Sequence, residues 1–161
     1  MKKHLIIFIS FLFFINAAPS FASYGIQTKT DHCVANQVLP DPDCTPGAIL
    51  TVDTSVICVS GYTKTVRYVP FKEKKKVFAE YGISYALRNR YEVDHLISLE
   101  LGGSNDISNL WPEASSIAEG SKIKDRFENY LHAQVCNGRI SIEEAQSEIA
   151  ATPPNGASAE R

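Results

Sequence analysis

The chain has 161 residues, of which 44% are hydrophobic and 21% are charged, and its formal net charge is −2. This length fits one compact domain with a modest core and excludes a multidomain protein, while the slightly acidic balance excludes a uniformly basic nucleic-acid coat. Residues 1–22 predict a signal peptide, because Lys2 and Lys3 precede an apolar run from Leu5 to Ile15 and small residues follow. The run is shorter than the ~20 residues of a membrane-spanning helix, so we expect a periplasmic or secreted protein with no membrane attachment after cleavage.

The mature chain contains four cysteines and carries a net charge of −4, because residues 1–22 hold two lysines and no acidic residue. An even number of cysteines in an oxidising compartment predicts disulfides, and the lack of a Cys-x-x-Cys pair disfavours a structural zinc site. The sequence leaves all three pairings open, although a bond from Cys136 to the amino-terminal segment would fasten both ends. We expect one domain over 23–152, a disordered tail over 153–161, and disulfides among Cys33, Cys44, Cys58 and Cys136.

The first part of the mature chain predicts loops followed by strands. Residues 23–57 are rich in proline and acidic residues, which is typical of loops and short extended segments. Residues 55–69 alternate loosely and contain β-formers around Gly61 and Tyr62, which predicts one or two strands. Arg67 falls in this stretch. Its planar guanidinium would hold a phosphate if it faced a cleft and would form an ion pair on the surface, and the sequence favours neither.

Residues 71–81 predict a helix that carries positive charge. Phe71, Phe78 and Tyr81 are spaced for one buried face, and Gly82 follows where a helix would stop. Between residues 64 and 90 the chain has eight basic and two acidic residues, an excess that would attract a phosphate backbone. Any single lysine here also fits an ordinary solvated helix face. The candidate nucleic-acid contacts are Lys72, Lys74, Lys75 and Lys76, with Lys124 further along the chain.

The stretch from Tyr91 to Glu113 predicts a hairpin that carries chemistry. An apolar, β-branched run includes the adjacent pair Asp94 and His95, turns at a double glycine, and returns through Asn109 to a second short apolar run. A carboxylate offers a hard oxygen ligand for a divalent cation, and a neighbouring imidazole can activate water near neutral pH. Metal-assisted hydrolysis is therefore the leading hypothesis. The alternative is a hydrogen-bonded pair that only closes the hairpin.

Two helices are predicted after the hairpin. Ser121 is placed to cap the first, whose buried stripe of residues at intervals of four ends before Asn137 and Gly138. Ser141 and Glu144 are spaced as a capping box for the second, which runs over 141–151. The stripe of the first helix consists of Ile123, Phe127, Leu131 and Val135.

The hairpin residues resemble the HNH nuclease motif, also called the ββα-metal fold, in its Asp-His-Asn form. The match includes Asp94, His95 and the segment Gly102-Gly103-Ser104-Asn105, followed by Asn109 and Leu110. A narrower group, small exported bacterial HNH-like proteins, is similar over roughly residues 40–150. The similar segments are Cys44-Thr45-Pro46-Gly47, Gly61-Tyr62-Thr63, Tyr81-Gly82-Ile83, Glu92-Val93-Asp94-His95-Leu96, Asn109-Leu110-Trp111-Pro112-Glu113 and Lys124-Asp125.

The resemblance implies an α+β fold with a ββα-metal (HNH) core, a β-hairpin crossed by a helix over about residues 88–136. Extra helices and a disulfide-stapled amino-terminal segment surround this core. It also implies one divalent metal ion, Mg²⁺, Mn²⁺ or Zn²⁺, bound by Asp94 and a residue of the crossing helix. His95 would be the general base, and Asn109 would pin the His95 segment or orient its ring. Arg67 would hold the phosphate if it faces the cleft. The family's final histidine is missing from the first turns of the helix, so the second metal ligand stays open among Asp125, Glu128 and Asn129.

The function implied by the resemblance is an exported metal-dependent endonuclease that hydrolyses phosphodiester bonds with little sequence specificity. DNA is expected as the substrate ahead of RNA. The alternative is a module that keeps the fold without turnover, either to bind nucleic acid or to act as a disulfide-stapled interaction domain. The sequence leaves a protective partner and the oligomeric state open.

Overall fold

The computed structural model describes residues 24–36, 38–115 and 118–151. The predicted signal peptide and the predicted tail from residue 153 onward lie outside these residues. None of the helices in the described ranges is both long and apolar enough to cross a membrane. The helices and strands, in chain order, are α1 (Thr54–Ile57), α2 (Tyr62–Val66), α3 (Phe71–Glu80), a 3₁₀ helix (Tyr85–Arg90), β1 (Tyr91–His95), two 3₁₀ turns (Leu99–Leu101 and Ile107–Asn109), β2 (Leu110–Ala114), α4 (Ala118–Cys136) and α5 (Ile142–Ala151).

The predicted α+β class and the hairpin are confirmed. Strands β1 and β2 pair antiparallel, with Tyr91 opposite Ala114 and His95 opposite Leu110. The long loop between them folds back at the double glycine, where side chains would not fit. A Cβ on Gly103 would lie 1.9 Å from the Ile97 carbonyl oxygen. Gly102 has a φ of +78° and lies against the backbone of Thr51, shortly before α1 begins. The loop therefore returns tightly onto the end of β1.

Helices α4 and α5 form most of the core beneath this loop. The predicted stripe is largely confirmed, because Phe127, Leu131 and Val135 are buried and pack with apolar residues of α5. The Glu144 amide donates to the Ser141 hydroxyl oxygen at 3.0 Å, which is half of the predicted capping box. The predicted N-cap at Ser121 is wrong, because α4 already begins at Ala118.

The strands predicted over residues 55–69 are wrong, since this stretch forms the short helices α1 and α2. Asp53 caps α1 by accepting a hydrogen bond from the Ser55 amide, and Gly61, with a φ of +86°, lets the chain turn into α2. Local capping thus outweighs the β preference of the branched side chains between these two residues.

The helix predicted over 71–81 is confirmed as α3, but its apolar face is smaller than expected. Phe78 and Tyr81 are buried, whereas Phe71 is 62% exposed and packs edge-on against the Tyr85 ring, with centroids 5.4 Å apart. Gly82 ends the helix with a φ of +63°, and the Ile83 amide then donates to the Phe78 carbonyl.

Two disulfides fasten the described chain, Cys33–Cys44 and Cys58–Cys136. The second joins the last residue of α4 to the residue after α1, across 78 positions of sequence. Both pairs are typical of a protein that folds in an oxidising compartment.

Asp41 organises the loop segment that precedes α1. Its carboxylate accepts hydrogen bonds from the Lys29 ammonium at 2.8 Å and from the backbone amides of Val34 and Asp43. The Lys29 hydrogen bond, followed by the Val34 amide, lowers the pKa of Asp41 to about 2. A segment with little apolar surface is thus held by one charged acceptor as well as by the Cys33–Cys44 bond.

We predict that Asp41→Asn lowers the free energy of unfolding at pH 7 by about 1 to 2 kcal/mol. Because the folded-state pKa lies below the unfolded one, this contribution is complete above about pH 4 and is lost as the pH falls toward about 2. Urea unfolding across this range should show the two proteins converging in acid. The matched change at exposed Asp31 should alter the free energy of unfolding by less than about 0.5 kcal/mol. A difference between Asp41→Asn and the wild type that stays constant across this pH range would contradict the assignment.

Candidate functional site

His95 ends strand β1 and forms part of the wall of a cavity of about 530 Å³. The strand stops at this residue and the chain enters the loop, so Asp94 and His95 are released from the strict alternation of a longer strand. The side chain is 3% exposed, which leaves the cavity as its route to a ligand.

Asn105, in the loop, fixes which nitrogen of the His95 ring carries the proton. The Asn105 amide group donates from Nδ2 to the Val66 carbonyl at 2.7 Å, which directs its Oδ1 toward the Tyr68 amide and toward His95 Nε2, 3.1 Å away. An amide oxygen only accepts, so Nε2 must donate and the neutral ring keeps its lone pair on Nδ1. Among the described residues, none is hydrogen-bonded to Nδ1.

The surroundings of His95 favour its neutral form. Burial lowers the pKa of the imidazole, and the charges of Arg67 and Lys124 lower it further, which outweighs the opposing effects of the hydrogen bond that His95 donates to Asn105 and of the charge of Asp94. A neutral imidazole with a free Nδ1 is a competent proton acceptor near pH 7.

The cavity beside His95 is basic and partly aromatic. Arg67, Lys74 and Arg88 contribute to its walls, while Glu92 is the one acidic residue among its described lining residues. The aromatic part consists of Phe78, Tyr85 and Tyr91, whose rings pack edge-to-face. Three basic side chains in the wall of one cavity would attract an anionic group such as a phosphate.

Three of the four lysines of α3 that were predicted to contact nucleic acid do not line this cavity. Lys75 lies over the Phe71 ring, 4.8 Å from its centroid, and Lys76 pairs with Glu73 at 3.2 Å. Lys72 is exposed on α3 without lining the cavity. Of the four lysines predicted on this helix, Lys74 alone reaches the cavity that His95 borders.

Asn109 holds the loop rather than the ring. Its fully buried amide donates to the carbonyls of Ile97 and Ser104 at 3.0 and 2.8 Å and accepts from the Ile97 amide at 2.9 Å. The segment that follows His95 is thereby tied to the residue that precedes β2. The two predicted roles for Asn109 separate in the structure, since Asn109 pins the segment and Asn105 orients the imidazole.

Lys124 lies on the other side of His95 and is buried, so its ammonium is not available to a nucleic acid from outside. It donates to Asp94 Oδ2, to the His95 carbonyl at 3.0 Å and to Glu128 Oε1 at 2.7 Å, which uses all three protons. Burial lowers the pKa of Lys124, but the two carboxylates outweigh it and the net shift is upward, so the group stays charged. The same ammonium outweighs burial at Asp94 and lowers the pKa of that carboxyl.

The predicted metal ligands do not assemble around a vacant site. Asp94 and Glu128 converge, but on the Lys124 ammonium, while Asp125 and Asn129 are exposed and the Asn129 amide bonds the Asp125 carbonyl. Within the described ranges, one set of three His, Cys, Asp or Glu ligand atoms lies within 4.8 Å, namely Cys58, His132 and Cys136. The two sulfurs of that set form a disulfide, so they do not offer thiolates. The side chains as arranged therefore do not fit the expected divalent ion.

A further buried acid, Glu113, was not among the predicted site residues. Glu113 lies opposite Glu92 in the antiparallel register of the hairpin. Burial, followed by the charge of Asp94, raises the pKa of Glu113 to about 7. Burial also raises the pKa of Glu128 to about 7. The sequence signal for Glu113 was its position in the returning strand opposite Glu92.

Comparison of the chain with family models, curated proteins and solved structures found no match in any of the three.

We predict that Asn109→Ala lowers the free energy of unfolding by about 2 to 4 kcal/mol, because it leaves buried backbone groups of Ile97 and Ser104 unpaired. Chemical denaturation measures this directly. The control is Asn129→Ala on the exposed face of α4, which should cost within about 0.5 kcal/mol. Equal effects of the two substitutions would show that Asn109 does not hold the loop.

Proposed function

We propose that this protein is an exported HNH-like phosphodiesterase that cleaves nucleic acid with little sequence specificity, with His95 as general base. The observation that carries the proposal is a buried imidazole in the wall of a cavity that also contains three basic side chains. Its Nε2 donates to Asn105, which leaves Nδ1 as the nitrogen that can accept a proton. The order of strand, loop, strand and helix, and the two disulfides, agree with the resemblance and with export.

Hydrolysis needs a base and a charge that stabilises the phosphate, and the chain supplies both. His95 Nδ1 takes a proton from a water molecule as the water oxygen forms a bond to phosphorus. The bond from phosphorus to the leaving sugar oxygen breaks, and that oxygen takes a proton from solvent. Arg67, exposed at the cavity and close enough to lower the His95 pKa by its charge, stabilises the negative charge that builds on the phosphate.

Asn105 and Asn109 position the base without touching the substrate. Asn105 keeps the proton on Nε2 and also binds the Val66 carbonyl and the Tyr68 amide, on either side of Arg67. One amide therefore sets both the tautomer of the base and the placement of the cation that faces the phosphate. The cavity contacts are to charge and shape, which supports cleavage of DNA or RNA without base readout.

We predict that His95→Ala lowers the rate of nucleic-acid cleavage by about 10² to 10⁴-fold, the usual contribution of a general base. Plasmid DNA and a single-stranded RNA are incubated with purified mature protein, and the products are followed over time. His32→Ala, at an exposed histidine, is the matched control and should leave the rate unchanged.

Binding distinguishes the enzyme from a non-catalytic module. Salt-dependent retention of nucleic acid that persists in His95→Ala, together with the loss of cleavage, supports an enzyme whose base is His95. Retention without cleavage by the wild type would instead assign the basic cavity to binding alone. Cleavage that survives His95→Ala would reject His95 as the base.

A further inference from the structure

The environment of Lys124 is unusual for a lysine next to a catalytic site. Its side chain is 7% exposed and its ammonium has three acceptors, two of them carboxylate oxygens from different elements. The Lys124 ammonium, carried by α4, is therefore a positive charge fixed between the carboxylates of Asp94 in β1 and Glu128 in α4. It occupies the space in which Asp94 and α4 would otherwise share an ion.

Charge and geometry argue against a second cation at the same place. Asp94 Oδ2 and Glu128 Oε1 are both directed at the ammonium, and Asp125 and Asn129, the other candidates on α4, are exposed. A divalent ion bound by the same two carboxylates would lie within a few ångströms of a buried positive charge, and the two would repel strongly in a poorly solvated site.

We propose that Lys124 is a built-in cation that replaces the divalent metal, so that the His95 site cleaves phosphodiesters without a metal ion. This inference rests on the proposed function for its chemistry. Lys124 is a positioning residue, since it touches Asp94 and the His95 carbonyl and not the substrate. The charge that faces the phosphate comes from the cavity, from Arg67 with Lys74 and Arg88.

Lys124 has a definite task in such a site. Its hydrogen bond to the His95 carbonyl holds the backbone of the last residue of β1, while Asn105 holds the His95 ring at Nε2. Two contacts thus hold His95 in place, one at its carbonyl and one at its ring.

The first experiment measures metal binding and does not depend on activity. Mature wild-type protein is titrated with Mn²⁺ by calorimetry and by electron paramagnetic resonance, and no saturable site is expected. Lys124→Ala frees two carboxylates and a carbonyl, which are the ligands that a hard divalent ion prefers, and should gain one Mn²⁺ site. Lys122→Ala, at an exposed lysine of the same helix, is the matched control and should gain none. One equivalent of Mn²⁺ bound by the wild type and lost in Asp94→Asn would overturn the proposal, whether or not Lys124→Ala folds.

The second experiment compares cleavage rates in excess chelator and in Mg²⁺. The proposal expects equal rates, whereas loss of a metal's Lewis acidity would lower the rate on the order of 10³-fold. Cleavage that requires the added ion would overturn the inference and leave the nuclease function standing. No cleavage in either condition would reject the proposed function, and the Mn²⁺ titration would still decide the role of Lys124.

Discussion

The structure around His95 depends on one buried ion-pair network, the Lys124 ammonium between Asp94 and Glu128. Breaking such a network from one side is costly, typically about 3 to 5 kcal/mol, because a buried charge is left without its partner. The network joins α4 to β1, two elements with no other polar side-chain contact among the described residues. It sets the depth at which α4 lies against the end of the hairpin, and hence which residues of α4 face inward.

Two asparagines in the loop between the strands have different structural roles. Asn109 satisfies backbone groups on both sides of the loop and is completely buried, so its contribution is to the shape of the chain. Asn105 lies nearer the surface and joins the His95 ring to the segment that carries Arg67. His95 and Arg67 are thus held by the same side chain, although they lie 28 positions apart in sequence.

Much of the fold was predictable because local patterns determine it. The apolar stripe from Phe127 to Val135 and the Ser141 cap are each defined by residues close together in sequence, and both are present in the structure. The start of α4 was placed three residues too late, at Ser121. Residues 55–69 were mispredicted because branched side chains favour strands only on average, and Asp53 and Gly61 impose helical turns there.

The sequence predicted where the Asp94–His95 pair lies better than it predicted which side chains contact the pair. Asp94 and His95 are adjacent and fall at the end of a strand, so their closeness needs no tertiary information. Which asparagine meets the ring depends on the path of a long loop, and both candidates have the same chemistry. The role of Lys124 depends on the rotation of α4 relative to β1: the pairing with Glu128 at i+4 is visible in the sequence, but the approach of Asp94 is not.

A cation carried on the chain differs from a bound metal in one thermodynamic respect. Occupancy of a metal site depends on the free ion concentration through its dissociation constant, and outside the cell that concentration is set by the surroundings. A lysine ammonium is present at full occupancy wherever the protein is folded and Lys124 remains protonated. The Cys58–Cys136 bond acts on the same helix, because it fastens the last turn of α4 covalently while Lys124 fastens its first half by charge. These two attachments hold α4 in place through a covalent bond and a fixed charge, neither of which depends on the concentration of a free ion.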